Sequence, residues 1–552
     1  MQEHAHRFAA RAPQPGNSLQ GCMGVATAGS GPQQNQGCRA DVDGDRAILA
    51  GHEPSPGSAG LSSMNRIWLK FALGASIVMV CGLAAGQQRV MLPDMGGTST
   101  RVLSPEMEQT FARDFERYMR AHNLLVEDPM IRDHFEDMGF RLVSHSDRPA
   151  ADFHFFVMRD PGINAFASVA GVIGINAGLI LLAHDESEVA GVVAHEIAHV
   201  TQDHIARAVE NQQQVSMPAM LATIGVAIAA GLAGASPDAS QAVLMSGMGL
   251  AQQLQINHTR QSEAEADRVG IGLLARAGYD PHGMTRFFER LSMHSRAMGS
   301  GPPEYLRTHP LTVNRIAEAR DRAESIATRP RIEDQQFHFV QSRLRVLMAQ
   351  NHDQNIQWFR ARMDRGERPA DAMRYGLALS MIRGKHFDQA ETEVASLLAS
   401  DPDRQLFRLL EADLRLAQGR QADAVDILAE LYRHFPGNRM VATQYAETLM
   451  HQPEPDLARR TMTILRPYLR AHPNDLRMTE LMARAANVAG EPVRAAEAVA
   501  DSYYLRGGVT EAIDQLERVS GREDLDFYQR ARISARLAEL RSEQVRLMTR
   551  AR

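Results

Sequence analysis

Residues 185–202 read Asp-Glu-Ser-Glu-Val-Ala-Gly-Val-Val-Ala-His-Glu-Ile-Ala-His-Val-Thr-Gln, and this stretch decides the fold. The acidic cluster opens a helix: Asp185 suits the cap, and Glu188, three residues on, takes the capping-box position. Val189, Val192 and Val193 continue the apolar pattern, which runs to about Val209. His195 and His199 are four residues apart, so both imidazoles project from one face, with Glu196 beside them. Two neutral imidazoles suit Zn²⁺, which lowers the pKa of a bound water towards about 7. Glu196 is placed to take the proton of that water and to deliver it to a leaving amine. Acid–base help of this kind is typically worth roughly 10²–10⁴ in rate. Such a motif also arises by chance on amphipathic helices, so its surroundings carry the weight.

Upstream, Phe153–Met158 is a β-rich run stopped by Asp160-Pro161-Gly162. Ile163–Val169 and Val172–Asn176 follow as short apolar segments about Ala170-Gly171. They read as a small sheet ending in a hairpin or edge strand, with Val172–Asn176 as the edge that holds an extended substrate by strand addition. Downstream, a third ligand is required, leaving one position open for water. The segment Arg260–Asp267 supplies it: Glu263 and Asp267 share a helical face, while Glu265 points away. Glu263 is the ligand, and Asp267 hydrogen-bonds a ligand imidazole and fixes its tautomer. His204 faces elsewhere on the metal helix and reads as structural; His258 is the runner-up ligand. Between the two helices, Met217–Ala235 and Ala242–Leu250 flank the break Ser236-Pro237-Asp238. As a membrane span they are marginal in length and rich in Gly and Ala, and the preferred reading is a buried or mobile helical hairpin that lids the cleft.

Further motifs occur in order around this centre: Leu92-Pro93-Asp94-Met95-Gly96, Arg141-Leu142-Val143-Ser144-His145, Phe153-His154-Phe155-Phe156, Ile163-Asn164-Ala165-Phe166-Ala167, Ala194–Gln202 and Thr308-His309-Pro310-Leu311. With His195-Glu196-x-x-His199 and Glu263-x-x-x-Asp267 they resemble the peptidase family containing HtpX and the CAAX prenyl proteases, over most of residues 90–325. The pattern departs at Ser168-Val169-Ala170-Gly171, where the family carries a Gly-Gly pair. The resemblance implies one zinc ion per chain on His195, His199 and Glu263, with Glu196 catalytic and Asp267 a proton donor or a support for the ligands. His309 either caps a turn or belongs to the site, as a fourth ligand, an oxyanion donor or a gate.

After about residue 335 the chain turns helical and repetitive. Gly384-Lys385-His386-Phe387-Asp388-Gln389-Ala390 precedes Pro402, Gly419-Arg420-Gln421-Ala422-Asp423-Ala424 precedes Pro436, and a third copy runs through Gly490 and Ala495. These landmarks recur at about the 34-residue period of tetratricopeptide helix pairs, which stack into a solenoid with a concave binding face.

At the other end, residues 1–63 are rich in Gly, Pro, Gln and Ser and read as a disordered extension or a start codon placed too early. Met64 opens a better one: Asn65, Arg66 and Lys70, an apolar core Phe71–Leu83, then small residues. That is a signal peptide, residues 64–86, cut near Ala85 or Gly86. The three cysteines, Cys22, Cys38 and Cys81, all precede the cut, so the mature chain has no disulfide and no thiolate ligand. A net charge of −6 excludes a nucleic-acid binder that neutralises phosphates in bulk.

The expected architecture is an α+β zincin-like metallopeptidase domain, mainly helical with a small sheet, at 87–335, followed by an all-α tetratricopeptide solenoid at 336–552. The expected activity is a zinc metalloendopeptidase in the periplasm of a Gram-negative bacterium. The resemblance implies quality control of unfolded or misassembled outer-membrane proteins beside their insertion machinery, with peripheral membrane contact compatible with that address. The rival reading is a chaperone or scaffold with a latent protease site.

Overall fold

The computed structural model describes residues 105–551 apart from 169, 206, 208–259, 299–300, 328–335, 368 and 453. The extension 1–63, the signal peptide 64–86, the 217–250 insert and His258 lie outside the described residues. What is described is mostly helical with one small sheet. Among these residues no helix is long and apolar enough to cross a membrane.

Helix α1 (Pro105–Ala121) leads into α2 (Pro129–Ser144). Asp128 caps α2, accepting from Met130 N at 3.2 Å, and Pro129 takes the first position, where a missing N–H costs nothing. Three strands follow: β1 (His154–Met158), β2 (Ala165–Ala167) and β3 (Val172–Asn176). Their order is β1-β3-β2, with β3 parallel to β1 and antiparallel to β2. Val172–Asn176 is therefore the central strand and not the edge that its sequence suggested. All five residues are buried, which is how an unbroken apolar run behaves when both neighbours and both faces are covered. Gly174 admits the Phe166 ring, which a Cβ there would meet at 2.3 Å. With both sides of β3 paired, substrate cannot add to it.

After α3 (Ala177–Leu182) comes α4 (Glu186–Thr201), the helix read first from the sequence. Asp185 caps it, accepting from Glu188 N at 3.0 Å, a contact worth ~1 kcal/mol. Glu188 turns back to accept from His184 N at 2.9 Å, and Arg290 grips both its oxygens at 2.9 and 3.0 Å. The first helical run ends at Thr201 and helix resumes at His204 and Ile205, while Val209 lies outside the described residues. Gln202 and Asp203 turn there, with Asp203 at φ 52° and its carboxylate held by Arg148. Helices α5 (Arg260–Arg276) and α6 (His282–Met298) pack against α4. Two glycines allow the close approach. A Cβ on Gly270 of α5 would lie 3.2 Å from His195 N, and one on Gly191 of α4 would lie 2.9 Å from Met284 Cα of α6. The short α7 (Glu304–Thr308) and then α8 (Val313–Glu324) close the region.

The remaining chain is helical throughout its described part: α9 (Gln336–Met348), α10 (His352–Asp364), α11 (Ala370–Arg383), α12 (Phe387–Ser400), α13 (Gln405–Ala417), α14 (Gln421–His434), α15 (Arg439–Leu449), α16 (Pro455–Ala471), α17 (Leu476–Val488), α18 (Pro492–Leu505), α19 (Val509–Ser520) and α20 (Phe527–Ala551). From α10 onwards each packs on the next in sequence. Left-handed residues end α11, α13 and α17: Lys385 at φ 64°, Gly419 at 80° and Gly490 at 76°. The structural equivalent of Gly419 is thus Lys385, not the Gly384 that marks the motif.

One apolar core runs without a break from Val126 through the metal helix to Leu414, so the first helices of the array share the core of the sheet region. Polar ties reinforce the junction. Arg343 meets Asp128 at 2.8 Å and Gln341 donates to Ile180 O and Ala183 O. Farther along, Arg439 reaches Asp133 at 2.7 Å, and Glu543 of α20 accepts from Arg117 of α1 at 3.0 Å.

Candidate metal centre

Helices α4 and α5 bring His195, Glu196 and His199 against Glu263 and Asp267, and the residue after α7 adds His309. All six are buried. His195, His199, Glu263 and His309 each offer one donor atom, and those atoms lie within 4.8 Å of one another. The Nε2 atoms of His195 and His199 are 3.0 Å apart, and His309 Nδ1 lies 3.4 Å from His195 Nε2 and 3.0 Å from Glu263 Oε1.

Outside this set each donor has a brace. Asp267 Oδ1 is 3.0 Å from His195 Nδ1, on the far side of the ring from the convergence point. Arg315 of α8 donates from Nε and Nη2 to Asp267 at 2.8 and 2.9 Å, and its Nη1 is 2.7 Å from Glu263 Oε2. Nη1 also donates to Pro310 O, tying the His309 turn to the same guanidinium. His204 Nδ1 lies 2.9 Å from His199 Nδ1, and its Nε2 is 3.1 Å from Glu265 Oε2. His204 does not face elsewhere, as continuous helical spacing would demand: the turn at 202–203 swings it back onto His199. Glu265, directed away from the donor set, anchors His204.

The electrostatics are those of a site built for a cation. Burial opposes a charge on His195, yet Asp267 and Glu263 outweigh it and lift the ring to about 10. Burial also opposes ionisation of Glu263, but the His195, His199 and His309 rings hold its carboxyl far below the usual range. Asp267 is likewise held down, against burial, by His195 and Arg315. Burial keeps His204 below the ordinary histidine range despite Glu265, so its ring is neutral. Two imidazole nitrogens 3.0 Å apart can share one proton at most, and the convergence of three such nitrogens with a carboxylate oxygen fits a divalent metal ion.

Glu196 differs from the other acids. It is 1% exposed, and among the described residues neither carboxylate oxygen has a hydrogen-bond partner; His309 Nε2 approaches it to 3.5 Å. Burial pushes its carboxyl up, only partly offset by His309 and His195.

The six residues named from the sequence are thus brought together. Arg315, His204 and Tyr305 are additions. No local motif marks them, because each reaches the site across a turn or from another helix.

A buried, braced convergence of imidazoles and a carboxylate on two helices is the layout of a metal-dependent hydrolase. The model of peptidase family M48 matches residues 132–323. The chain is 33% identical over 452 residues to the beta-barrel assembly-enhancing protease of Yersinia pestis, covering 82% of this chain and 92% of that one. To the protein of the same name in Escherichia coli K12 it is 33% identical over 462 residues, with the same coverage. A shorter match, 27% over 181 residues, joins it to the mitochondrial metalloendopeptidase OMA1 of Schizosaccharomyces pombe, covering 33% of this chain and 50% of that one. The chain belongs to peptidase family M48 and is a metalloendopeptidase; the family implies a metal ion, which the buried donor set fits.

Proposed function

We propose that the chain is a periplasmic zinc endopeptidase acting in the quality control and assembly of outer-membrane proteins. The observation that carries the chemistry is the convergence of His195, His199, Glu263 and His309 beside a buried Glu196 whose carboxylate lacks a hydrogen-bond partner among the described residues. One zinc ion per chain, held by His195, His199 and Glu263, would polarise a water and the peptide carbonyl. Glu196 accepts the proton of the attacking water and returns it to the leaving nitrogen. Its raised carboxyl suits both transfers, because a base nearer neutrality is also a competent acid. Asp267 fixes the tautomer of His195, and Arg315 holds Asp267 and Glu263 in register. His309 is a fourth donor, and a catalytic site needs an open position. Its ring must therefore turn aside before a substrate enters, which makes it the gate.

The address and the substrates follow from the sequence and from the names of the relatives. Residues 64–86 are read as a signal peptide, residues 87–335 as the peptidase domain, and 336–552 as a tetratricopeptide solenoid. That array would dock unfolded or misassembled outer-membrane proteins, or their insertion machinery. The four-donor set gives weight to a second reading, a chaperone or scaffold with a latent protease site.

Casein cleavage and deletion complementation by wild type, Glu196→Gln and His309→Ala separate the two. The endopeptidase reading expects Glu196→Gln to be inert and to fail in complementation, with His309→Ala cleaving faster than wild type. Full complementation by an inert Glu196→Gln would hand the case to the scaffold. Unchanged cleavage by His309→Ala would remove the gate.

A further inference from the structure

Helix α7 ends at the gate, and its second residue lies beneath it. Tyr305 is 1% exposed, and its ring stacks on His309 with centroids 4.7 Å apart and planes 29° from parallel. Its backbone N–H donates to Ile163 O, and its carbonyl accepts from His309 N at 2.8 Å, so both ends of its peptide unit are anchored. The phenol oxygen, however, has no hydrogen-bond partner among the described residues. The same holds for both oxygens of Glu196, which approaches the His309 ring to 3.5 Å. A donor and an acceptor therefore stand buried and unsatisfied around one imidazole.

Buried polar groups are almost always paired, because leaving one unpaired costs free energy. Packing does not explain the hydroxyl: a phenylalanine would stack on His309 equally well. Two unsatisfied groups of opposite character about a movable ring mark the place of a third party that carries both an acceptor and a donor. A peptide carbonyl under attack by water is such a party. A phenol keeps its proton at neutral pH, so the group is an O–H donor there.

We propose that the Tyr305 hydroxyl stabilises the oxyanion, donating to the carbonyl oxygen of the scissile peptide once His309 turns aside. The inference rests on Glu196 being the base. In the first step the water oxygen bonds to the carbonyl carbon, the π pair moves onto the carbonyl oxygen, and the water proton passes to Glu196. In the second the carbonyl re-forms, the C–N bond breaks, and the nitrogen takes that proton. Tyr305 keeps its own proton throughout and only donates a hydrogen bond, which strengthens as charge builds on the oxygen. Such a donor acts on kcat, because it contributes more in the transition state than in the bound substrate.

The test is Tyr305→Phe in the full chain, with Glu196→Gln alongside. The expected result is a fall in kcat of about 10²-fold with KM within about twofold, the loss typical of one oxyanion donor. A phosphinic peptide, which mimics the tetrahedral oxygen, should lose affinity by the same factor. Metal content should be unchanged, and the Tm of the metal-stripped variant should equal or exceed that of the wild type, since an unsatisfied buried hydroxyl has been removed. Wild-type kcat and phosphinic affinity in Tyr305→Phe would overturn the assignment. A lowered Tm with loss of metal would also overturn it and make the hydroxyl structural. Glu196→Gln keeps the two readings apart: if it cleaves like wild type, the proposed mechanism fails, whereas an inert Glu196→Gln beside a fully active Tyr305→Phe removes Tyr305 alone.

Discussion

The metal helices and the helical array bury opposite things. Helices α4 and α5 enclose His195, Glu196, His199, Glu263 and Asp267, and the array around α14–α17 encloses Leu428, Ala446, Met462, Leu465 and Ala486. In the array most buried side chains are apolar and are there because they leave water, at roughly 25 cal/mol for each Å² of apolar surface, with Thr461 and Asp475 among the polar exceptions. At the site the buried groups are charged, desolvation opposes them, and each is tolerated only through a partner: Arg315 for Asp267, Asp267 for His195, Arg290 for Glu188. The Glu196 oxygens and the Tyr305 hydroxyl are the exceptions, with no hydrogen-bond partner among the described residues. The site is therefore held from outside, by the apolar frame that continues into α9–α13. The array holds itself.

The largest effect is expected at Arg315. Arg315→Met strands two buried carboxylates, and losing one partner of a buried ion pair typically costs about 4 kcal/mol. Denaturant unfolding should register that loss together with weakened metal retention; a loss under about 1 kcal/mol would mean the carboxylates need no brace. In the array, Leu428→Ala should cost about 3 kcal/mol through the cavity it leaves. Its metal content should not change, and a fall in metal content would show that the two regions are not energetically distinct.

A smaller effect is expected at the last helix. Burial works against the charge on Glu543, but Arg546, Arg113 and Arg117 outweigh it and hold its carboxyl down to about 2. A lowered folded-state value stabilises the protein above the unfolded value, near 4.3, and that stability disappears as pH falls from about 4 towards 2. Stability curves for Glu543→Gln should therefore be flatter than wild type in that window and parallel to it above pH 5. A parallel course throughout would dismiss the α1–α20 tie. The smallest change is a gain: Lys385 occupies the left-handed position that Gly419 and Gly490 occupy elsewhere, so Lys385→Gly should raise stability by about 0.5–1 kcal/mol. A loss would mean that the lysine side chain contributes more than its backbone costs.

The same contrast explains what could be read in advance. Turns at Gly419 and Gly490, the Asp185 cap and the spacing of His195 and His199 are local, and local rules are written in neighbouring residues. Glu263 and Asp267 were legible because helical spacing puts them on one face. Contacts made across the fold were not. The central place of Val172–Asn176 depends on pairing with β1, which short apolar segments do not announce. His204 was misplaced because the turn at Asp203 breaks the helical period. Arg315 and Tyr305 carry no motif, since their roles exist only when α7 and α8 fold over α4. Lys385 shows the converse: the Gly384 landmark suggested one register, and the backbone used the next residue.

The central claim is that His195, His199 and Glu263 hold a catalytic metal ion. Elemental analysis of the purified chain, wild type beside His199→Ala, tests it most directly. One zinc per chain is expected in wild type and essentially none in His199→Ala, with both proteins folded. Wild type that takes up no zinc when supplied with it, or His199→Ala that retains a full equivalent, would contradict it.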